Sequence, residues 1–173
     1  MLVRPIFFDT NVLVYAYEPD DPRRRQRALS LVREAMREDR CVISTQVMQE
    51  FYNVVRRRNF LSPADAFDVL RGLAEHRVER ASAESVLRAV ALQQRARVSI
   101  WDALVIQAAL DSGCGTLFTE DLQHGQRFSA DGDAARTVTV IDPFATDAPT
   151  PGPAVHESLP PPYAVSPPAK RKR

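Results

Sequence analysis

The chain has 173 residues, an apolar fraction of 45% and a formal net charge of +1, values that predict one globular domain with a sizeable core. No apolar run reaches the roughly 18 residues that a membrane span requires, and the near-neutral charge argues against nonspecific coating of DNA. The N-terminus lacks the layout of a secretory signal, and the two cysteines, Cys41 and Cys114, each lie in or beside an apolar run. This usage predicts free thiols and a cytoplasmic location.

The composition changes abruptly after Phe144. Nine of the 13 prolines lie between Pro143 and Pro168, and every lysine lies within the last four residues. Such a segment buries too little apolar surface to offset the entropy of ordering it. We therefore expect a folded domain at residues 1–145 and a Pro-rich, disordered basic tail at residues 146–173.

The first 145 residues alternate short β-rich runs with helical patterns. The elements predicted in chain order are a strand at 6–8, a helix at 11–17, a helix from 22 behind an Asp21 cap, a strand at 41–44, a helix to about 58 capped by Thr45, a helix at 63–76, a helix at 83–95, a helix at 100–113, a strand at 116–119 and a strand at 137–141. Strands separated by helices pair in parallel and are covered on both faces. The predicted fold is a three-layer α/β/α sandwich around a central, mainly parallel sheet.

Two aspartates follow predicted strands directly. Asp9 comes after Ile6-Phe7-Phe8, and Asp121 lies two residues beyond Thr119. Because ligands bind at the carboxyl ends of the strands of an open parallel sheet, we expect both side chains at one sheet edge. Each has an ordinary alternative, since Asp9 could simply cap the next helix and Asp121 could be a loop residue.

Two further carboxylates lie on predicted helices. Asp102 follows Ser99 by three residues, which is the spacing of a capping box, but it opens a helix that is apolar on nearly every side. A carboxylate near a buried helix start is costly unless a cation or donors satisfy it, so we favour a metal site over a cap. Glu50 borders the apolar stripe formed by Val47 and Val54, where a merely solvated glutamate would be less common.

Four acidic residues from four segments indicate a site for a hard cation, Mg²⁺ or Mn²⁺, because the set contains neither His nor Cys. Such clusters catalyse in-line hydrolysis of phosphodiester bonds. Alternatives on similar folds lack required residues. The sequence has no phosphate-binding G-x-x-x-x-G-K-[ST] loop. A phosphoaspartyl phosphatase would need a second aspartate where Asn11 stands, and it and the receiver domains use a lysine that the first 145 residues lack.

The acidic residues lie in motifs that resemble those of the PIN domain, most closely the VapC-like toxins of bacterial toxin–antitoxin pairs. The resemblance covers about residues 5–144, and it rests on the segments F-F-D-T-N-V-L-V-Y from Phe7, V-M-Q-E-F from Val47, W-D-A-L from Trp101 and T-E-D-L-Q-H-G from Thr119. The Pro-rich tail departs from the compact members of the family.

The resemblance implies Mg²⁺- or Mn²⁺-dependent cleavage of RNA, a homodimer and inhibition by a small antitoxin protein. Matched by position, the family's acidic quartet corresponds to Asp9, Glu50, Asp102 and Asp121. Matched in the same way, supporting positions correspond to Thr10, Asn11 and Thr119, and Glu120 is a rival or additional ligand. Two alternatives stay open: a DNA or rRNA-processing nuclease on the same fold, and a non-catalytic module that binds nucleic acid or a partner.

Two basic segments could contact phosphate. Arg56, Arg57 and Arg58 follow Glu50 by less than two helical turns, which makes them candidate RNA-binding residues. The tail ends in Lys170-Arg171-Lys172-Arg173, which could add affinity for RNA but is more simply explained as solubilising charge.

Overall fold

The computed structural model describes residues 4–130 and 133–145. The six strands of the described ranges form one sheet in the order β3-β2-β1-β4-β6-β5. The bounds of these strands are β1 Ile6–Phe8, β2 Cys41–Ser44, β3 Arg77–Glu79, β4 Thr116–Phe118, β5 Arg127–Ala130 and β6 Asp133–Ile141. All pairs are parallel except β5 with β6, which is antiparallel.

Six helices of the described ranges connect these strands. Their bounds are α1 Thr10–Tyr15, α2 Pro22–Arg37, α3 Thr45–Arg57, α4 Pro63–Leu73, α5 Ala83–Ala96 and α6 Ile100–Asp111. Helix α1 packs against α2 and α3, and α3 packs against α4, whereas α5 and α6 pack against each other. The predicted α/β architecture with a mainly parallel sheet is confirmed. Among the described helices, none is both long and apolar enough to cross a membrane.

The sequence prediction missed two strands, β3 and β5. Residue 76 was assigned to a helix, but α4 ends at Leu73 and the chain turns into β3, whose three residues are too short for a visible alternation. Strand β5 has an exposed first residue and one buried side chain, Phe128, which is the pattern of an edge strand. The sheet is therefore larger than predicted, and one of its edges is antiparallel.

Helix boundaries also differ in detail from the predicted ones. Ser44, not Thr45, caps α3, because its hydroxyl accepts the backbone N–H of Val47. Helix α6 ends at Asp111, two residues early, and Gly113 then adopts a positive φ of 68°. Asp21 caps α2, as predicted, and Ser62, Ser82 and Ser99 cap α4, α5 and α6.

The sheet order places a topological switch between β1 and β4. Chain connections leave β1 towards β2 on one side, whereas β4 joins it from the other, and the two strands pair in register from Ile6 with Thr116 to Phe8 with Phe118. The carboxyl ends of these two strands are where the crevice of an open α/β sheet forms. The backbone N–H of Asp9 donates to the carbonyl of Phe118 at 3.0 Å, which fixes the two strand ends side by side.

The predicted tail at residues 146–173, with its terminal basic run, lies outside the described residues. Cys41 and Cys114 are both buried free thiols, as expected. Burial raises the pKa of each to about 12.

Candidate metal-binding and catalytic site

Asp9 lies at the end of β1 and is 7% exposed. One of its oxygens accepts the backbone N–H of Thr10 at 2.7 Å, so Asp9 caps α1. The other oxygen accepts the hydroxyl of Thr119 at 2.8 Å. Asp9 can thus both cap α1 and belong to the site, because one of its oxygens binds the start of the helix and the other binds Thr119 at the end of β4.

Thr119 connects the buried part of this site. It is completely buried, and its hydroxyl accepts the Asn11 amide and the backbone N–H of Asp121, both at 3.1 Å, while it donates to Asp9. A hydroxyl has one proton and two lone pairs, so Thr119 is fully satisfied by these three contacts. The Asn11 amide also donates to Asp121 at 2.9 Å. One hydroxyl and one amide therefore fix Asp121 relative to Asp9.

Glu50 reaches the same group of residues from α3. Its carboxylate accepts the hydroxyl of Thr10 at 2.9 Å and the amide of Gln46 at 2.8 Å. Glu50 thus faces the site from the border of its helix, as its position beside the apolar stripe predicted. The sequence prediction did not include Gln46, although its i, i+4 spacing to Glu50 is visible in the sequence.

Asp102 occupies the first turn of α6, and its hydrogen bonds are with Ser99. The Asp102 carboxylate accepts the Ser99 hydroxyl at 2.7 Å, and the backbone N–H of Asp102 donates to the same hydroxyl at 3.0 Å. The predicted buried helix start is wrong, because this turn is open and the neighbouring Trp101 is 63% exposed. Hydrogen bonds through Thr10, Asn11 and Thr119 link Asp9 to Glu50 and to Asp121. Asp102 remains in the capping arrangement.

Glu120, the rival ligand, is held away from this group by other partners. Its two oxygens accept the hydroxyl of Tyr15 at 2.7 Å and the guanidinium of Arg24 at 2.9 Å. Arg24 also donates to the Tyr15 hydroxyl, and its guanidinium lies 4.8 Å from the centre of the Tyr15 ring. Burial and the neighbouring carboxylate raise the pKa of Tyr15 to about 12, so its hydroxyl stays a donor. We call Tyr15, Arg24 and Glu120 the Glu120 clamp.

The charge environment of Asp9 differs from that of a carboxylate that forms an ion pair with an arginine. Its pKa is raised from 3.8 to about 6, mainly by burial and also by the charges of Asp121 and Glu50, against the lowering effect of its two hydrogen bonds. Within the described residues, no arginine forms an ion pair with Asp9, Glu50, Asp102 or Asp121. The site therefore concentrates negative charge that the described protein does not neutralise.

The chemistry of the donors suits a hard divalent cation. The candidate ligands offer oxygen only, which is the preference of Mg²⁺ and Mn²⁺. In the part of the chain that the structure describes, one buried side-chain polar atom lacks a hydrogen-bond partner, and it is Oδ1 of Asn11. That oxygen belongs to the amide whose nitrogen donates to Asp121, and it can only accept, so it suits a cation or a water bound to one. Among residues 4–130 and 133–145, no three His, Cys, Asp or Glu side chains lie close enough to form a preassembled ligand set.

The three arginines proposed to contact RNA have different environments. Arg56 donates to the carbonyl of Leu61 at 2.7 Å and so stabilises the turn after α3. Arg58 forms an ion pair with Glu18 at 3.2 Å. Arg57 is exposed at the end of the helix, and with the described residues it makes neither kind of contact. Of the three, Arg57 is therefore the side chain available to a phosphate.

Comparison with known proteins assigns the family. The model of the PIN domain matches residues 6–127, well over half of the chain. The chain belongs to the PIN-domain family, and the resemblance that its acidic motifs indicated is confirmed. No curated protein matches the sequence.

Solved structures share the fold at low sequence identity. A toxin–antitoxin complex from Klebsiella pneumoniae is 17% identical, with a TM-score of 0.57, over 80% of this chain and 98% of that chain. VapC20 from Mycobacterium tuberculosis, a toxin that cleaves the sarcin-ricin loop, is 21% identical, with a TM-score of 0.53, over 65% of this chain and 86% of that chain. At these identities the likeness shows a common fold.

Proposed function

We propose that this chain is a Mg²⁺-dependent endoribonuclease that hydrolyses RNA phosphodiester bonds and is the toxin of a toxin–antitoxin pair, with Mn²⁺ able to replace Mg²⁺. The observation that carries the proposal is Asp9, a buried carboxylate whose pKa is raised to about 6 and whose charged neighbours are the carboxylates of Glu50 and Asp121. Burying uncompensated negative charge is costly, so such an arrangement is retained where a bound ion completes it.

The residues that would hold the ion are Asp9, Glu50, Asp102 and Asp121. When bound, a divalent ion supplies positive charge that offsets the charge developing on the phosphodiester during in-line attack by water. Because the capping contact holds Asp102 at Ser99, we expect Asp102 to be the member that reorients most on binding.

The protein's own contribution is to hold the oxygens in place. Thr10 and Thr119 hold Asp9 through both oxygens, so its carboxylate cannot rotate freely. Asn11 and Thr119 fix Asp121 at the end of β4. Groups held in this way need little reorganisation as charge develops, and this is the usual source of electrostatic catalysis.

The antitoxin partner and the homodimer rest on family resemblance. The similar structure from Klebsiella pneumoniae is a toxin–antitoxin complex, and the one from Mycobacterium tuberculosis is a toxin that cleaves the sarcin-ricin loop. For RNA contacts beyond the site, Arg57 is the best placed of the residues Arg56, Arg57 and Arg58, because it is exposed and donates to no acceptor in the described part of the chain.

The decisive experiment compares cleavage of RNA by the wild-type chain and by Asp9→Asn. With Mg²⁺ or Mn²⁺, the wild type should produce new RNA 5′ ends, which sequencing locates, and chelation by EDTA should stop the reaction. Asp9→Asn should abolish cleavage while leaving the circular dichroism spectrum unchanged. Full activity of Asp9→Asn would refute the site assignment.

Two alternatives are separated by the same preparation. Cleavage of DNA, or trimming of precursor rRNA with no growth arrest on expression, would indicate a processing nuclease on the same fold. No cleavage together with no Mn²⁺ binding in calorimetry would indicate a non-catalytic module. Growth arrest that the product of a neighbouring reading frame relieves would support the toxin assignment.

A further inference from the structure

Helix α6 is shielded from solvent along its length except at one residue, Trp101. The side chain of Trp101 is 63% exposed, whereas every other residue of α6 is buried or half-buried. Within the described part of the chain, the indole makes no ring contact and its N–H donates to no acceptor. A single exposed apolar side chain is ordinary on a protein surface, so what distinguishes Trp101 is its position.

Trp101 lies towards the edge of the sheet that carries the candidate site. After α6 the chain returns to the opposite edge, where the backbone N–H of Gly115 donates to the carbonyl of Pro5 at 3.0 Å just before β1 and β4 begin. Helix α6 has 12 residues and is therefore about 18 Å long, enough to cross the sheet against the direction of the strands. Its first turn accordingly lies towards the carboxyl ends of the strands, and on that turn Trp101 directly precedes Asp102.

A basic side chain precedes Trp101 in the connection between α5 and α6. Arg97 ends α5 and is exposed, and with the described residues its side chain forms neither an ion pair nor a hydrogen bond. Arg88 of the same helix, by contrast, pairs with Asp111 at 3.0 Å. Between Arg97 and α6, Val98 packs against the core and holds the short connection in place. A fixed segment thus presents a guanidinium and an indole close together in sequence.

A local structural role accounts for Arg97 only in part. A cation at the end of a helix interacts favourably with the helix dipole, and Arg97 is placed to do so. Its φ of 57°, however, lies in the left-handed region, where glycine or asparagine is favoured over arginine. Trp101 leaves most of its side chain in water, so burial accounts for little of its presence. The inference therefore rests mainly on Trp101.

We propose that Trp101 stacks on one base of single-stranded RNA next to the cleaved phosphate, and that Arg97 contacts a backbone phosphate of the same strand. The proposal rests on the proposed function, since it assumes that RNA is bound at the carboxylate edge. Every nucleobase has a π face, so an exposed indole holds a base whatever its identity, and a guanidinium offers paired N–H donors to phosphate oxygens. Trp101 then determines which phosphate enters the site, whereas the carboxylates determine whether its bond is broken.

The first measurement separates stacking from charge. In the Asp9→Asn background, the dissociation constant for a short, labelled single-stranded RNA is measured by fluorescence anisotropy at several salt concentrations. Trp101→Ala should weaken binding by about 5- to 150-fold and leave the slope of log affinity against log salt unchanged, because stacking releases no counterions. Arg97→Ala should weaken binding and reduce that slope by about 0.7, the value for one phosphate contact of a single strand. Trp101→Phe should recover part of the affinity that Trp101→Ala loses.

The second measurement identifies the stacked base. The same RNA is prepared with one abasic sugar at each position in turn, which removes a base and keeps the backbone charge. At the position that stacks on Trp101, loss of the base should weaken binding to the Asp9→Asn chain but should not weaken binding to the Asp9→Asn/Trp101→Ala chain any further. Losses that add at every position would show that no base stacks on Trp101, and the proposal would be overturned.

Two exposed residues of α4 provide matched controls. Phe67→Ala removes an aromatic ring of 59% exposure, and Arg71→Ala removes an exposed arginine whose ion pair is with Asp68. If Trp101→Ala binds RNA as tightly as Phe67→Ala does, the proposal is overturned while the nuclease proposal stands. A change in oligomeric state for Trp101→Ala alone, measured by light scattering, would then show that Trp101 contacts a second copy of the chain instead of RNA.

Cleavage by the otherwise wild-type chain distinguishes the two proposals. Trp101→Ala should raise KM with kcat nearly unchanged, and cleavage should spread to neighbouring phosphodiester bonds, because the strand is no longer held in one position. A lower kcat with unchanged KM and an unchanged cleavage position would contradict the stacking role. If the wild type cleaves no RNA but Trp101→Ala still loses RNA affinity relative to Phe67→Ala, the nuclease proposal fails and Trp101 remains an RNA-binding residue.

Discussion

Glu120 and Asp121 are neighbours in the sequence, yet their carboxylates meet opposite surroundings. Glu120 is part of the Glu120 clamp, where its carboxylate accepts hydrogen bonds from the Arg24 guanidinium and the Tyr15 hydroxyl. The Asp121 carboxylate accepts the Asn11 amide, a neutral donor, and the backbone N–H of Asp121 donates to the Thr119 hydroxyl. Of these two adjacent acids, Glu120 is neutralised by an ion pair within the protein. Asp121 belongs to a site whose negative charge the described residues do not neutralise.

The difference provides a criterion for sorting acidic residues. A carboxylate that the protein has already neutralised contributes to stability, and its removal should be felt in folding. A carboxylate that is held rigidly but not neutralised is available to an external cation, and its removal should be felt in activity. The predictions below test this division.

The largest effect is expected from Asp121→Asn. The variant keeps the shape of the side chain but removes one negative charge from the group that would hold the ion. RNA cleavage should fall by more than about 100-fold, beyond the 10–100-fold that loss of an outer-sphere partner of a metal typically causes. The measurement is the initial rate of cleavage at saturating Mn²⁺.

Glu120→Gln is the matched control for that variant, because it makes the same change from carboxylate to amide one residue away. Its activity should remain within about tenfold of wild type, because its contacts are with Tyr15 and Arg24. Equal losses in the two variants would show that the division between the neighbours has no functional meaning.

The next effect is on stability and comes from Arg24→Met. The change leaves Glu120 with the Tyr15 hydroxyl alone, and hydrogen bonds to charged groups contribute about 1.5–3 kcal/mol. Since both partners are partly exposed, we expect the free energy of unfolding to fall by about 2 kcal/mol in urea denaturation. Arg23→Met removes the exposed arginine next in sequence and should change it by less than about 0.5 kcal/mol. Similar losses in both variants would mean that the clamp adds nothing specific.

A smaller effect, of opposite sign, is expected for Asp9→Asn without metal. The pKa of Asp9 in the folded protein is raised from 3.8 to about 6, so the folded state binds this proton more tightly than the unfolded state does. Its stabilising contribution is present below about pH 4 and is lost as the pH rises through 6. Asp9→Asn avoids that loss, so at pH 7.5 in EDTA it should be more stable than wild type by about 1–2 kcal/mol. This is less than the pKa shift alone would give, because the amide disturbs the hydrogen bond from the Thr119 hydroxyl.

The measurement is a pair of unfolding curves for wild type and Asp9→Asn at pH 4 and pH 7.5. The advantage of Asp9→Asn should be lost at pH 4, where wild-type Asp9 is protonated in the folded state, and Mn²⁺ should raise the melting temperature of the wild type alone. If Asp9→Asn is the less stable protein at pH 7.5 in EDTA, Asp9 is an ordinary helix cap and not a ligand position for a cation.

The smallest effect is expected from Tyr15→Phe. The ring still packs edge-on against Phe144, with centroids 4.7 Å apart, and Arg24 still pairs with Glu120. The bonds that the hydroxyl makes with Glu120 and with Arg24 are lost, so the free energy of unfolding should fall by about 1 kcal/mol with cleavage unchanged. A stability loss as large as that of Arg24→Met would mean that the hydroxyl, not the ion pair, is the main stabilising contact of the clamp.

The sequence predicts the part of the fold that periodicity and caps encode. Buried runs of three or four residues such as Ile6–Phe8 and Cys41–Ser44 stand out because turn and cap residues bound them. Strand β3 was missed because Arg77–Glu79 is short, half-exposed and flanked by charged residues, so only its pairing with β2 makes it a strand. Nonlocal pairing of this kind has no local signature.

The candidate site, like the fold, was predictable only where local sequence patterns determine it. Strand-end placement was sufficient to bring Asp9 and Asp121 together, because register and parallel pairing dictate it. The fate of Glu120 was not predictable, since Arg24 lies 96 residues away in sequence. The openness of the Asp102 turn was also missed, because an all-apolar helix does not reveal which of its ends reaches the surface.

Trp101 is the only tryptophan of the chain, and it stands exposed on the turn that carries Asp102. The emission of an indole depends strongly on its contact with water and on nearby ions, and tyrosine emission can be avoided by the choice of excitation wavelength. The unlabelled protein thus contains a single optical reporter beside the one carboxylate expected to move. Titrating the chain with a divalent ion, and then with RNA, would show whether this helix start responds to each in turn, with no dye, tag or added substitution.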